Sequence, residues 1–354
     1  MNKIFTIVAF IGVPLTVVAS LLHWSSIAMF AICAITVIAI SSIMGRATES
    51  LAIVSGPRIG GLLNATFGNA VELIISIFAL QAGLVGVVLA SLTGSVIGNL
   101  LLVTGLSFFV GGLKFKRQTF SIFDARHNSG LLVFAVIVAF VIPEIFSMEM
   151  NETASIQLSV GISIIMIVLY LAGLFFKLVT HRGVYSRETT AESEAHSEEE
   201  QAEWGKWKAL LILLLATLAV AYVSENLVHT FEDVGERFGW SQLFIGVIIV
   251  AIVGNAAEHS SAILMAFKNK MDIAVEIAIG STLQIAMFVA PILVIVSLFM
   301  DTQMSLVFTV PELVAMATAV FLTIAVSNDG ESNWFEGLTL LAAYVIMGIG
   351  FYLL

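Results

Sequence analysis

Gly68-Asn69-Ala70-Val71-Glu72 returns later in the chain as Gly254-Asn255-Ala256-Ala257-Glu258, and each copy sets its glutamate deep inside an apolar run. Gly94-Ser95 returns as Gly280-Ser281 at the same spacing (254 − 68 and 280 − 94 are both 186). A carboxylate in the middle of a bilayer costs several kcal/mol unless it meets a cation, a proton or water. Two of them at equivalent points of a duplicated membrane chain read as the two halves of a cation site.

The surrounding composition agrees. Of 354 residues, 59% are hydrophobic and only 11% charged, with a mean hydropathy of +1.04. A soluble domain with so little charge would not stay in solution. The apolar runs reach the ~20 residues that a membrane helix needs, and they are too long and too evenly apolar for barrel strands. No cleavable signal peptide is expected at the N-terminus. The single cysteine, Cys33, excludes disulfides and a cysteine-based metal site. No basic patch supports nucleic-acid binding.

Eleven spans are read, at about 4–22, 27–45, 60–82, 84–112, 129–146, 156–179, 208–230, 242–267, 272–299, 306–326 and 335–354. The expected fold is an all-α polytopic membrane protein. Assigning loops alternately to two sides gives one side Lys3, Arg46, Arg58, Lys114, Lys116, Arg117, Arg126, Lys177, Arg182, Arg187, Lys206, Lys208, Lys268 and Lys270. The other side receives Arg237 alone. This bias places the N-terminus in the cytoplasm and the C-terminus outside. The cell membrane is the expected location.

The spacing of 186 maps spans 2–6 onto spans 7–11. Five spans per unit is an odd number, so the second unit is inverted, an arrangement used for alternating access. The expected organisation is an extra first helix (1–26), a first five-helix repeat (27–179), an acidic cytoplasmic linker (180–207) and a second, inverted repeat (208–354). Within the linker, Glu188, Glu192, Glu194, Glu198, Glu199, Glu200 and Glu203 cluster. Rich in Glu, Ala, Gln and Ser, this stretch suits a surface helix. It reads either as a solvated connector or as a low-affinity cation sensor.

In each motif, Gly68-Asn69 and Gly254-Asn255 are poor helix formers that favour unwinding or close helix approach. Exposed backbone carbonyls, the asparagine amides and the carboxylates are hard oxygen ligands, suited to Ca²⁺ or Na⁺. Two carboxylates balance one divalent cation or two protons equally well. The doubly ionised empty state is opposed by burial and by like-charge repulsion. Exchange of one divalent cation for about two protons follows. Ser95 and Asn99 in span 4, and Ser281 and Gln284 in span 9, offer further oxygens at the same level. Asn99 and Gln284 are near-equivalents, since Gln284 maps onto Gly98. His259, whose counterpart is Leu73, is either a packed helix contact or a proton relay. Glu49 and Glu225, in Thr48-Glu49-Ser50-Leu51 and Ser224-Glu225-Asn226-Leu227, form a looser pair near helix ends. They are either stations on a proton path or ordinary helix-end charges. Asp272 and Glu276 open span 9, where the helix dipole favours acids.

At these residues the chain resembles the cation/proton exchangers of the CAX type, in the calcium/cation antiporter superfamily. The two Gly-Asn-Ala-x-Glu motifs are similar to that family's repeat motifs. Asn269-Lys270-Met271-Asp272, Gly280-Ser281-Thr282-Leu283-Gln284-Ile285-Ala286 and Asp329-Gly330-Glu331-Ser332-Asn333-Trp334-Phe335-Glu336-Gly337 fit as well. The acidic stretch matches a family segment between the halves. The resemblance implies eleven spans, an extra first helix, and Ca²⁺/H⁺ antiport through Glu72 and Glu258. Val71 stands where the family often has Thr, which removes a hydroxyl but keeps the backbone carbonyl. The sodium/calcium exchanger branch typically carries a Gly-Thr-Ser motif and more site carboxylates, neither of which is present, so sodium coupling is disfavoured.

The expected partners are therefore Ca²⁺ and protons as substrates and the lipid bilayer as solvent, with no cofactor; a homo-oligomer is compatible with the sequence. Gly68, Asn69, Glu72, Ser95 and Asn99, with Gly254, Asn255, Glu258, Ser281 and Gln284, are the expected ion-site residues. Glu72, Glu258, His259, Glu49 and Glu225 are the proton-path candidates. The alternatives are a Mn²⁺ preference, sodium coupling, or a passive channel without proton coupling. An enzyme is not expected: His259 has no partner at His-Glu-x-x-His spacing, no Gly-x-Ser-x-Gly nucleophile occurs, and no phosphate-binding loop supports an ATP-driven pump.

Overall fold

The computed structural model describes residues 2–180 and 202–354. Most of the acidic linker lies outside the described residues, and so does the helix expected within it. The described chain is almost wholly helical, as expected from its long apolar runs. Among the described residues, nine continuous helices are long and apolar enough to cross a membrane. They are α1 (Lys3–Leu21), α2 (Ser26–Ser55), α5 (Val85–Phe115), α6 (Arg126–Ser147), α7 (Glu152–Thr180), α8 (Lys206–Val228), α12 (Met271–Ser297), α13 (Val310–Ser327) and α14 (Trp334–Leu353).

The two remaining expected spans, 60–82 and 242–267, are not continuous. Each is split at its motif. The first comprises α3 (Pro57–Phe67) and α4 (Ala70–Gln81). The second comprises α10 (Gln242–Gly254) and α11 (Ala256–Phe267). A short amphipathic helix, α9 (Phe231–Phe238), precedes α10 and meets it at 117°. The count of eleven spans thus rests on reading each broken pair as one crossing.

The breaks have the same cause. Asn69 (φ −99°, ψ 21°) and Asn255 (φ −102°, ψ 10°) leave helical geometry, and a new helix starts at the following alanine. The unwinding is narrower than the sequence suggested, because the Gly68 N–H still bonds Asn64 O and the Asn255 N–H still bonds Ala251 O. Glu72 and Glu258 consequently occupy the first turn of α4 and of α11. The partial positive charge of a helix N-terminus favours a carboxylate there.

α2 runs ten residues beyond its expected end, since nothing in Gly45 to Ser55 stops a helix before Gly56-Pro57. α8 packs along α2 and α4, and α1 covers α2. α14 lies against the second half of α5, where Gly105 and Gly337 let the backbones approach. Small residues at such crossings replace the hydrophobic drive that lipid does not supply. Outward-facing Phe10, Ile165 and Ile346 are exposed, as suits an acyl-chain environment. At the ends of α5 and α13, β1 (Gln118–Thr119) and β2 (Glu331–Ser332) pair antiparallel. π-helical turns fall at equivalent places in α5 (Gly98–Val103) and α12 (Ile285–Val289), next to Asn99 and Gln284. Such turns mark sites where a helix admits a local distortion.

Candidate functional site

The two motif breaks bring the two halves of the molecule together crosswise. Gly254 backs onto Glu72, so that a Cβ there would stand 3.4 Å from the Glu72 Cα and Cβ. Gly68 backs onto the other glutamate: a Cβ there would stand 3.3 Å from Glu258 Oε1 and from Gln284 Oε1. Each motif glycine thus makes room for the opposite motif's acid.

The hydrogen bonds repeat this exchange. Ser95 Oγ donates to Glu72 Oε1, and Ser281 Oγ donates to Glu258 Oε2 at 2.5 Å. Asn255 Nδ2 from the second half donates to Ser95 Oγ of the first, at 2.9 Å. Asn69 Oδ1 from the first half stands 3.1 Å from Ser281 Oγ of the second. Residue i of one half therefore meets residue j of the other, and the relation holds again after adding 186. That is the signature of a two-fold relation.

The symmetry stops at Asn99 and Gln284. Asn99 Nδ2 donates to Ser281 Oγ at 3.0 Å, whereas Gln284 Oε1 accepts from Asn69 Nδ2 at 2.7 Å. Both lie in the cluster, but they are not counterparts in what they bind. One offers an N–H to a hydroxyl; the other offers an oxygen to an amide.

Glu72 is fully buried, and Asn69, Ser95, Asn99, Asn255 and Ser281 are each at most 5% exposed. Glu258, His259 and Gln284 are partly exposed. Two oxygens in the buried half, Glu72 Oε2 and Asn255 Oδ1, have no hydrogen-bond partner. Buried lone pairs without a donor are costly in this setting, at about 1–3 kcal/mol each, so they are natural ligands for a cation or acceptors for a proton. The donor set is entirely oxygen, with two carboxylates joined by amide and hydroxyl groups. That chemistry suits a hard cation such as Ca²⁺. Among the described residues no group of three or more His, Cys, Asp and Glu is placed to hold a metal. A cation entering this cluster would meet two carboxylates and neutral oxygens only.

The other sequence candidates fall elsewhere. His259 follows Glu258, and its Nε2 is buried without a partner. Glu49 and Glu225 are exposed on α2 and α8. Asp272 accepts the Ser121 N–H at 2.6 Å and Glu276 pairs with Lys177 at 2.6 Å, so both tie loops and helix ends together. At the edge of the linker, Glu203 pairs with Arg46 at 3.0 Å, and Trp204 lies against the same guanidinium.

Sequence reasoning missed Glu312, a carboxylate only 3% exposed. It caps α13 through Thr309 and accepts from Thr93 Oγ1 of α5 at 3.2 Å. The signal was present in Thr309-Val310-Pro311-Glu312, a capping-box spacing.

The family model described as sodium/calcium exchanger protein matches residues 25–179 and 208–353, one match for each half. The chain belongs to this family. Within it, the chain is 71% identical over 354 residues to the Ca(2+)/H(+) antiporter ChaA of Bacillus subtilis (strain 168), covering 100% of both chains. The solved structure of native YfkE superposes with a TM-score of 0.87 at 66% identity, over 99% of this chain and 100% of that one. The crystal structure of the H+/Ca2+ exchanger CAX shares the fold, with a TM-score of 0.72 over 99% of this chain and 92% of that one, at 16% identity. As in other members of the exchanger family, the chain is an integral, multi-pass, all-helical membrane protein.

Proposed function

We propose that the protein is a secondary antiporter that moves Ca²⁺ out of the cytoplasm in exchange for protons, with Glu72 and Glu258 binding the two in turn. The 71% identity to a Ca(2+)/H(+) antiporter supports the choice of ions. The crosswise Gly-Asn-Glu cluster carries the mechanism. Glu72 and Glu258 supply two negative charges, balanced by one Ca²⁺ or by two protons. Both loaded states are neutral and can be carried through a low-dielectric interior, while the empty, doubly charged state cannot. That difference is what couples the two fluxes. Asn69, Asn255, Ser95, Asn99, Ser281 and Gln284 hold the carboxylates in place and offer neutral oxygens. Gly68 and Gly254 provide the space.

The two sides of the cluster are packed differently, which supports alternating access. On one side α10 lies directly on α5, with Gly246 against Ala90 and Gly94 against the Val247 backbone. On the other side the repeat-equivalent contact is open. Gly280, the counterpart of Gly94, has nothing within 4 Å of its Cβ position, and α3 packs on α2 with no comparable packing against α12. With the basic loops facing the cytoplasm, this is a cytoplasm-open state. Glu258 is then reachable from the cytoplasm and Glu72 is sealed. The opposite state would close Gly280 and open Gly94, one half taking the other's packing.

The direct test is Ca²⁺ flux by Glu72→Gln and Glu258→Gln in proteoliposomes. Either substitution is expected to abolish transport while the protein still inserts and elutes as a folded species. Substantial residual exchange in either variant would falsify the two-carboxylate mechanism.

A further inference from the structure

Serine and threonine inside a helix normally return their hydroxyl to the carbonyl four residues back. Ser159, Thr217 and Thr282 do so here. Ser76 and Ser224 do not. Both are fully buried, at 1% and 0% exposure, and neither hydroxyl has a partner.

Their positions are informative. Ser76 lies one helical turn beyond Glu72 on α4, and residues four apart share a face. Glu72 Oε2 is itself buried without a partner. Ser224 lies on α8, the helix packed along α4. With the basic loops in the cytoplasm, both α4 and α8 run toward the external side, and each serine stands about one turn from the end of its helix, at Gln81 and Val228. Next to Ser224 in the chain is Glu225, exposed at that surface. Three unpartnered buried oxygens thus share the two packed helices that run from the sealed carboxylate to an exposed one.

We propose that Ser224 and Ser76 form the external proton relay to Glu72, a route separate from the one Ca²⁺ takes. This rests on the antiport reading above. Each hydroxyl accepts a proton on a lone pair and releases its own onward, so Ser224 passes to Ser76, Ser76 passes to Glu72 Oε2, and both are restored. Ca²⁺ cannot follow, since it needs six to eight oxygens. The route is instead flanked by Ile75, Ala79, Leu80, Val220 and Val223, all buried and apolar.

The second repeat supports the assignment by contrast. Ser76 maps onto Ala262 (76 + 186), which is buried and has no hydroxyl. Thr48, at the place in α2 that answers to Ser224 in α8, is again buried and unpartnered. The register of that pair is sound: with 176 residues between them, buried Ala209, Leu213, Ala216, Val220 and Val223 fall on buried Cys33, Val37, Ile40, Met44 and Ala47. The inner relay is therefore interrupted at Ala262, on the side where Glu258 is already reachable from the cytoplasm.

The test compares two modes of transport in proteoliposomes. Ca²⁺/Ca²⁺ exchange, followed with isotopic Ca²⁺ at equal pH, requires no proton delivery; proton-driven Ca²⁺ uptake does. Ser76→Ala and Ser224→Ala are each expected to slow proton-driven uptake at least tenfold while Ca²⁺/Ca²⁺ exchange stays near the wild-type rate. Alanine is already tolerated at the equivalent position 262, so the fold should survive. Unchanged proton-driven uptake in both variants overturns the relay, and so does an equal loss of both modes, which would mark a packing role. A wild type that moves Ca²⁺ with no proton movement would sink the antiport reading itself, an outcome distinguishable because it appears before any substitution.

Discussion

At the scale of residues, the site is an exchange of partners between two copies of one short motif. Asn255 shows what each group does. Its Nδ2 holds Ser95, Ser95 holds Glu72, and its Oδ1 is free for a ligand. Asn255→Ala removes the donor and the oxygen together. The apparent Ca²⁺ affinity should fall roughly tenfold or more, since about 1.4 kcal/mol corresponds to a factor of ten. The concentration dependence of flux measures this, and an unchanged affinity would place Asn255 outside the ligand set. The glutamates, glycines and asparagines were legible in the sequence because the motif occurs twice at one spacing. The crosswise pairing was not, because sequence spacing relates each residue to its copy and not to its contact. Asn99 and Gln284 illustrate the limit. They are one position out of register, and the structure gives them different bonds.

At the scale of elements, the glycines set how closely neighbouring helices approach. Gly94 lies against the Val247 backbone, and a methyl group there cannot be accommodated without separating α5 from α10. Gly94→Ala should therefore lower thermal stability, by about 1–3 kcal/mol as for other overpacked sites, and also impair transport. Gly280 has open space in this state. Gly280→Leu is expected to leave the melting temperature close to that of the wild type and yet to block transport, by preventing closure on the cytoplasmic side. A Gly280→Leu protein that transports normally would contradict the symmetric gate. Element existence was well legible, since runs of apolar residues leave few alternatives to membrane helices. Element continuity was less so. The Gly-Asn breaks divide two spans at their centres, and α2 continues ten residues past its expected end because no stop signal precedes Gly56-Pro57.

At the scale of the whole molecule, orientation and coupling are the properties to test. The bias of the basic residues predicts a cytoplasmic N-terminus. In a background lacking the native thiol, cysteines at Arg117 and Lys270 should react only with a reagent on the cytoplasmic side, and one at Glu236 only from outside. Cys33 is buried, so Cys33→Ala is a suitable starting point. Labelling in the reverse sense would invert the assignment of open and closed sides. An inverted second repeat is an expectation from arithmetic alone, five spans and one spacing. The packing difference between Gly94 and Gly280 could not be read at all, because the spacing relates the two glycines to each other and not to what packs against them.

If Ca²⁺ and protons compete for one pair of carboxylates, the decisive measurement is Ca²⁺ uptake into proteoliposomes loaded at acidic pH, with and without a protonophore. Uptake should require the pH gradient, be matched by proton release, and collapse when the protonophore is added. Uptake that persists after the gradient has gone would exclude proton coupling and point to a channel or to another coupling ion.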